Sequence, residues 1–173
     1  MQTLIILGSS NSRGDTRKIV DAVRKKVDAD LIDLNDLMIG YFDYEFKNSG
    51  DDFLPVMREI VENYDLIIFA TPVYWYTMSG IMKVFFDRIS DLLKTEKELG
   101  RKVRGKGMAV VSCGSDEILA NGFHMPFVET AMYLGMTYKG SCHSWVKNGE
   151  IPKEVIGRLE VFGQRLYAKL LSE

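Results

Sequence analysis

The sequence predicts a three-layer α/β sandwich: one five-stranded parallel sheet with helices on both faces. Three observations predict it. Short apolar runs alternate along the chain with longer segments whose apolar residues recur at helical spacing. Two of the runs, Leu4-Ile5-Ile6-Leu7 and Tyr64-Asp65-Leu66-Ile67-Ile68-Phe69-Ala70, lack the polar alternation of a half-exposed strand and read as strands covered on both faces. Polar or aromatic loops follow the first, third and fourth runs. In a doubly wound sheet with right-handed crossovers, those loops gather at the carboxyl ends of the strands, where the strand order reverses and ligands bind.

Each element has its own warrant. Leu4 to Leu7 is the first strand, and Ile19, Val20, Val23 and Val27, spaced among charges after Thr16, mark an amphipathic helix. Leu31 to Leu34 reads as a short second strand. After an irregular stretch, Phe53, Val56, Met57, Ile60 and Val61 define a helix from Asp52 to Asn63. The third strand, Tyr64 to Ala70, ends at the helix-incompatible pair Thr71-Pro72, and a helix follows from about Ser79 to Leu93. Lys106 to Val111 is the fourth strand, Phe123 to Leu134 its helix, Met136 to Gly140 a fifth strand, and Pro152 to Leu171 a closing amphipathic helix. No repeat, linker or low-complexity tract interrupts the series.

Composition narrows the function. At 173 residues and 46% hydrophobic, the chain suits one well-filled core, so a single domain over residues 1–173 is expected. A formal net charge of −2 gives no polybasic surface for nucleic acid, and a small-molecule ligand is favoured. Nothing resembles a signal peptide, and no apolar stretch reaches the length of a membrane span, so a cytoplasmic protein with no membrane partner is expected. Two cysteines, Cys113 and Cys142, and two histidines, His124 and His143, lie too scattered for a metal site within one chain. Neither histidine belongs to an acid–base constellation, and no catalytic residue is assigned.

The loop after the first strand, Gly8-Ser9-Ser10-Asn11-Ser12-Arg13-Gly14-Asp15-Thr16, is rich in hydroxyls and opens a helix. Free backbone N–H groups and the positive end of a helix dipole make phosphate its natural guest. Five residues separate Gly8 from Gly14, and Asp15 follows, which excludes both the Walker A and the Gly-x-Gly-x-x-Gly spacings. A polar turn with an ordinary helix cap is the alternative. The loop after the third strand, Pro72-Val73-Tyr74-Trp75-Tyr76, sets three aromatics where small polar residues are usual. A flat ring system as guest would explain them, as would sealing of the sheet edge or a subunit contact. Gly114, between Ser112-Cys113 and Ser115, allows close backbone approach, or is a simple turn.

These residues carry a resemblance. Pro72 through Arg88 is similar to the P-x-Y-x(5)-G-x-x-K-x-x-x-D-R signature of flavodoxin-like NAD(P)H-dependent FMN reductases, and the first loop resembles that family's G-S-x-R-x-x-G-N-T phosphate loop. The resemblance implies a flavodoxin-like fold of strand order 2-1-3-4-5 with FMN at the switch point between strands one and three. It implies that Ser9, Ser12, Gly14 and Thr16, with Asn11, Arg13 and Asp15 in the same loop, hold the FMN phosphate. Pro72, Val73, Tyr74, Trp75 and Tyr76 would line the isoalloxazine, and Ser112, Cys113 and Gly114 would approach its far side. NADPH or NADH would be the reductant, a quinone, azo compound, nitro compound or free flavin the acceptor, and a homodimer or homotetramer the assembly.

Two positions depart from the family loop. Asn11 stands where arginine is common and Asp15 where asparagine is, which lowers the positive charge beside a phosphate. Arg13 and Arg17 are the cations placed to restore it, and Asp15 is placed to cap the helix. The chain also resembles iron–sulfur flavoproteins, but Gly40-Tyr41-Phe42-Asp43-Tyr44-Glu45-Phe46 occupies the region of their cysteine motif, and no thiolate is there to hold a cluster. That aromatic stretch reads as a lid, a dimer contact or a surface loop pinned by two buried rings. Asp87 and Arg88 read as a structural pair. Two rival functions remain beside the reductase: a flavodoxin-type electron carrier and a flavin-free regulatory module on the same fold.

Overall fold

A computed structural model describes residues 1–168. Its sheet has the order β2-β1-β3-β4-β5 with every neighbouring pair parallel. The strands are β1 (Thr3–Leu7), β2 (Ala29–Asp33), β3 (Leu66–Pro72), β4 (Gly107–Gly114) and β5 (Thr137–Trp145). The helices are α1 (Asp15–Arg24), α2 (Phe53–Asn63), α3 (Gly80–Lys94), α4 (Lys97–Arg101), α5 (Met125–Leu134) and α6 (Lys153–Ala168). The sheet separates two cores. Ile5, Leu7 and Ile68 pack with Val20 and Val23 of α1 and Leu159 of α6 on one face, and Ile6, Phe69 and Val110 pack with Phe53 of α2, Phe85 of α3 and Phe127 of α5 on the other. Strand β1 contributes to both, because successive side chains alternate across the sheet.

Several boundaries differ from the sequence reading, each for a tertiary reason. β2 starts at Ala29 and ends before Leu34, which opens a short 3-10 turn (Leu34–Asp36) capped by the Asp33 carboxylate on the Asn35 N–H. β3 does not break at Thr71-Pro72. Both residues stay paired, Thr71 with Ser112 and Pro72 with Cys113, and proline is tolerated there because it is the last residue of the strand. β4 runs three residues past Val111, so Ser112 and Cys113 lie within the strand. β5 continues to Trp145, well beyond Gly140, whose positive φ of 112° accompanies a register shift and does not end the strand. Helix α1 stops at Arg24, and Val27 reaches the core from the following turn. The short helix α4 was not expected. The Lys169–Leu171 end of the expected last helix lies outside the described residues.

Arg88 is not paired with its neighbour Asp87, which bonds Lys83 at 2.5 Å. Its guanidinium, 1% exposed, contacts Asp51 at 2.5 Å and Asp91 at 2.8 Å, donates to the carbonyls of Gly40 and Asn48 (both 3.1 Å), and lies 4.9 Å from the Phe53 ring. The excursion between β2 and α2 is therefore pinned by a cation on α3. Phe42 and Phe46 are half-buried against each other, edge to face, while Tyr41 and Tyr44 point to solvent. Burial alone would raise the Asp51 carboxyl, but the hydrogen bonds from Arg88 and from the N–H groups of Gly40 and Phe53 outweigh it and hold the group below its usual value.

Candidate functional site

The loops after β1, β3 and β4 meet at one edge of the sheet, over the β1/β3 reversal of strand order. Gly8 begins the first. Its N–H donates to the Ala70 carbonyl (2.8 Å), and it sits so close to α3 that a Cβ there would lie 2.8 Å from the Met82 Cβ. The loop folds on itself through Asn11, whose backbone carbonyl accepts from Gly14 N–H (3.1 Å) and whose side-chain oxygen accepts from Arg13 N–H (3.0 Å). Asn11 thus shapes the turn where an arginine is common in the resembling loops. The Ser9 side chain is buried beside it, and Ser12 Oγ accepts from Asn35 at 3.2 Å.

Helix α1 opens at Gly14 with no side-chain cap. Asp15 does not serve as one. Its carboxylate bonds Lys18 at 2.9 Å, and Lys18 also donates to the Gly149 carbonyl, so a neighbouring cation offsets the added charge. Arg17 pairs with Asp21, and Arg13 forms no ion pair among the described residues. The first N–H groups of the helix, those of Asp15 and Thr16, have no carbonyl one turn back inside the helix and remain available, with the Thr16 side chain 4% exposed beneath them.

In the second loop Tyr74 and Thr77 pair across a two-residue turn (2.9 and 3.1 Å), with Trp75 at φ 49° and Tyr76 at φ 67°. Turns of that hand ordinarily carry Asn-Gly, because a Cβ at positive φ crowds the backbone. Two bulky aromatics held there, with Trp75 91% exposed, store strain without burying their surface. The loop is tied to the first by Tyr74 Oη and Ser10 Oγ, 3.3 Å apart. Pro72 is buried at its entry, and Val73 N–H donates to the Cys113 carbonyl (2.8 Å), fixing it to β4.

At the third loop the side chains of Ser112 and Cys113 are buried, so only their backbone and Gly114 reach the edge. Ser112 Oγ donates to His143 Nδ1 at 2.8 Å, and His143 Nε2–H donates to the Asp116 carbonyl at 3.0 Å, which defines the neutral tautomer. Burial lowers the pKa of His143 and a nearby Arg158 lowers it further, partly countered by the Asp116 carbonyl. A Cβ on Gly114 would stand 2.9 Å from His143 Cε1, so glycine makes room for the imidazole. Burial pushes the Cys113 thiol up to about 11, with the Asp15 charge adding to the shift, which favours the protonated thiol at neutral pH.

Sequence reasoning named most of this cluster but missed Ser10, Asn35, Ser79, Lys18 and His143. Ser79 is the best hidden: its Oγ donates to the Gly8 carbonyl (2.6 Å) and accepts from Met82 N–H, while its own N–H donates to Thr71 Oγ1. The serine before a helix was a visible cap signal; its bond to Gly8 was not. Cavities flank the cluster on both sides. One of about 470 Å³ lies between the Leu34–Tyr41 segment and the start of α3, and one of about 480 Å³ lies between β5 and α6. Among the described residues no three His, Cys, Asp or Glu side chains gather to hold a metal, and no helix is long and apolar enough to cross a membrane.

A model of the NADPH-dependent FMN reductases matches residues 1–150. The chain belongs to the NADPH-dependent FMN reductase family. The reductase is 27% identical over 150 residues to YwqN of Bacillus subtilis, whose name describes an NAD(P)H-dependent FMN-containing oxidoreductase, with 81% of this chain and 82% of that one covered. Among solved structures it is similar to the Trp repressor binding protein of Bacillus subtilis (TM-score 0.75, 23% identity, 93% and 97% of the two chains). It is also similar to an NADPH-quinone reductase of P. pentosaceus (TM-score 0.68, 18% identity, 95% and 96%). At those identities the structures establish the fold, which is flavodoxin-like. Family membership makes the reductase an FMN-dependent oxidoreductase driven by NAD(P)H.

Proposed function

We propose that residues 1–173 act as one cytoplasmic domain that binds FMN at the loop cluster and carries reducing equivalents from NADPH or NADH to a small acceptor: a quinone, an azo or nitro compound, or free flavin. The observation that carries this reading is the uncapped start of α1 at Gly14 facing the strained Trp75-Tyr76 turn across the Ser10–Tyr74 contact. The first supplies unpaired donors for a phosphate. The second holds aromatic surface in a conformation that costs energy and has no structural return. Ser9, Asn11, Ser12, Arg13, Gly14, Asp15 and Thr16 form the phosphate cradle on this reading. Pro72, Val73, Tyr74, Trp75 and Tyr76 wall the ring system, and the backbone at Ser112, Cys113 and Gly114 closes its far side.

Held by these residues, FMN would supply the two-electron chemistry that links a nicotinamide donor to the acceptor. The protein's part is to place the ring and leave one face open to a pocket that the two substrates occupy in turn. No side chain needs to act as acid or base, and no metal is required. A second copy of the chain completes the assembly as a homodimer or homotetramer, with no nucleic acid or membrane partner.

Anaerobic mixing of the FMN-loaded protein with NADPH and NADH in turn tests the reading. Bleaching of the flavin by either, and parallel double-reciprocal lines with an acceptor panel, are expected. Failure of both nucleotides to bleach it, with ready one-electron reduction by a protein donor, would establish the electron carrier instead, and absence of flavin binding the regulatory module.

A further inference from the structure

The cavity between β5 and α6 belongs to none of the loops above, yet it adjoins them. Its walls carry Lys139, Arg158 and Arg165 and no acidic side chain. None of the three cations forms an ion pair among the described residues, and Glu160, on the same helix, turns away to bond Lys26 of α1 at 2.5 Å. Arg158 is oriented by stacking 4.8 Å from the centre of the buried Trp145 ring, which leaves its N–H groups free. Phe162 lines the apolar part of the wall.

Two glycines open the space. A Cβ on Gly140 or Gly157 would meet nothing within 4 Å. Gly157 lies inside helix α6, where glycine costs roughly 1 kcal/mol relative to alanine, and the helix gains no packing in return. The groove runs away from the site. α6 returns along β5, with Arg158 beside Trp145 at the site end and Arg165 about 10 Å further along the helix axis. His143, which lines the same cavity, bonds Ser112 and the Asp116 carbonyl of the third loop, so groove and loop cluster share a wall.

We propose that this groove holds the 2′-phosphoadenosine end of NADPH, with Arg158, Arg165 and Lys139 on its phosphates, while the nicotinamide reaches the loop cluster. The inference rests on the reductase reading above. A groove lined by Lys139, Arg158 and Arg165 with no carboxylate between them suits a phosphate monoester, which arginine binds through two parallel hydrogen bonds. A bare adenosine end lacks that anion.

Titration of the FMN-loaded protein with 2′,5′-ADP and with 5′-AMP tests it. We expect 2′,5′-ADP to bind about tenfold tighter or better, the worth of one charge-assisted hydrogen bond, and to slow flavin bleaching by NADPH competitively. Arg165→Gln narrows the gap to less than about threefold. Gly157→Leu fills the groove and favours the helix, so it abolishes binding of both nucleotides while FMN retention and Tm hold. Equal affinities in the parent protein, or a gap that survives both variants, overturns the proposal. The two readings fail separately: flavin bleached by NADPH with the gap untouched removes the groove and keeps the reductase, whereas a selective groove in a protein that binds no FMN does the reverse.

Discussion

The hydroxyl of Ser79 donates to the carbonyl of Gly8 at 2.6 Å, joining the start of α3 to the loop that opens α1. The same oxygen caps α3 by accepting from Met82 N–H at 3.1 Å. One buried atom therefore sets both the start of α3 and the first carbonyl of the loop after β1. Ser79→Ala removes the cap and leaves a buried carbonyl unpaired, and a loss of about 2 kcal/mol in urea unfolding is expected, together with weaker FMN binding. A stability change below about 0.5 kcal/mol would show that Ser79 is not the link.

If the start of α1 holds the phosphate as proposed, FMN should bind more tightly than riboflavin, because only FMN would bring an anion to the N–H groups at Asp15 and Thr16. Thr16→Ala should weaken FMN by about tenfold and leave riboflavin within about threefold, as measured by fluorescence titration. Equal losses for both flavins would point to damage in the core beneath Thr16.

Replacing Trp75-Tyr76 with Asn-Gly relieves two residues at positive φ. Stability should rise by about 1–2 kcal/mol, which for a chain of this size is a Tm increase of roughly 4 °C, while flavin-dependent turnover falls. A stabler variant with full activity would mean that the aromatic turn serves neither the flavin nor its substrates.

Asp51→Asn leaves Arg88 buried with one carboxylate fewer. A loss of about 3 kcal/mol is expected, and limited proteolysis should cut first between Tyr41 and Lys47, where the excursion has lost its anchor. Unchanged proteolysis would place the anchor elsewhere, at Phe42 and Phe46.

The imidazoles of His143 and His124 are both held below the usual 6.5, in each case chiefly by burial. A histidine with a depressed folded pKa binds fewer protons than in the unfolded chain, so its contribution is fully present above 6.5 and is lost as pH falls below that value. Tm should drop between pH 7 and pH 5, and His143→Gln, which can still donate to Asp116 and accept from Ser112, should flatten part of that slope. A Tm that rises on acidification over this range would contradict the assignment.

Local pattern determined most of the architecture. The spacing of Ile19, Val20 and Val23 and the unbroken run from Leu66 to Ala70 require a helix and a two-sided strand wherever they occur, because period and burial are properties of neighbouring residues. The alternation of such elements placed Gly8 to Thr16, Pro72 to Tyr76 and Gly114 at one edge, and the signature from Pro72 to Arg88 carried the family. What only the tertiary structure decided depends on partners far along the chain. The partly exposed strand β5 carries no apolar run, so its length past Gly140 and the pairing of Ser112 with His143 emerge only from the ladder with β4. Arg88 reaches residues between 37 and 48 positions away, so no local rule separates it from a pair with Asp87. The positive φ at Trp75 and Tyr76 runs against their own preference and persists because the Tyr74–Thr77 pairing imposes it. Asp15 became the partner of Lys18 and left the helix start open, since a side chain is free to choose between a cap and a cation and the surrounding loop makes that choice.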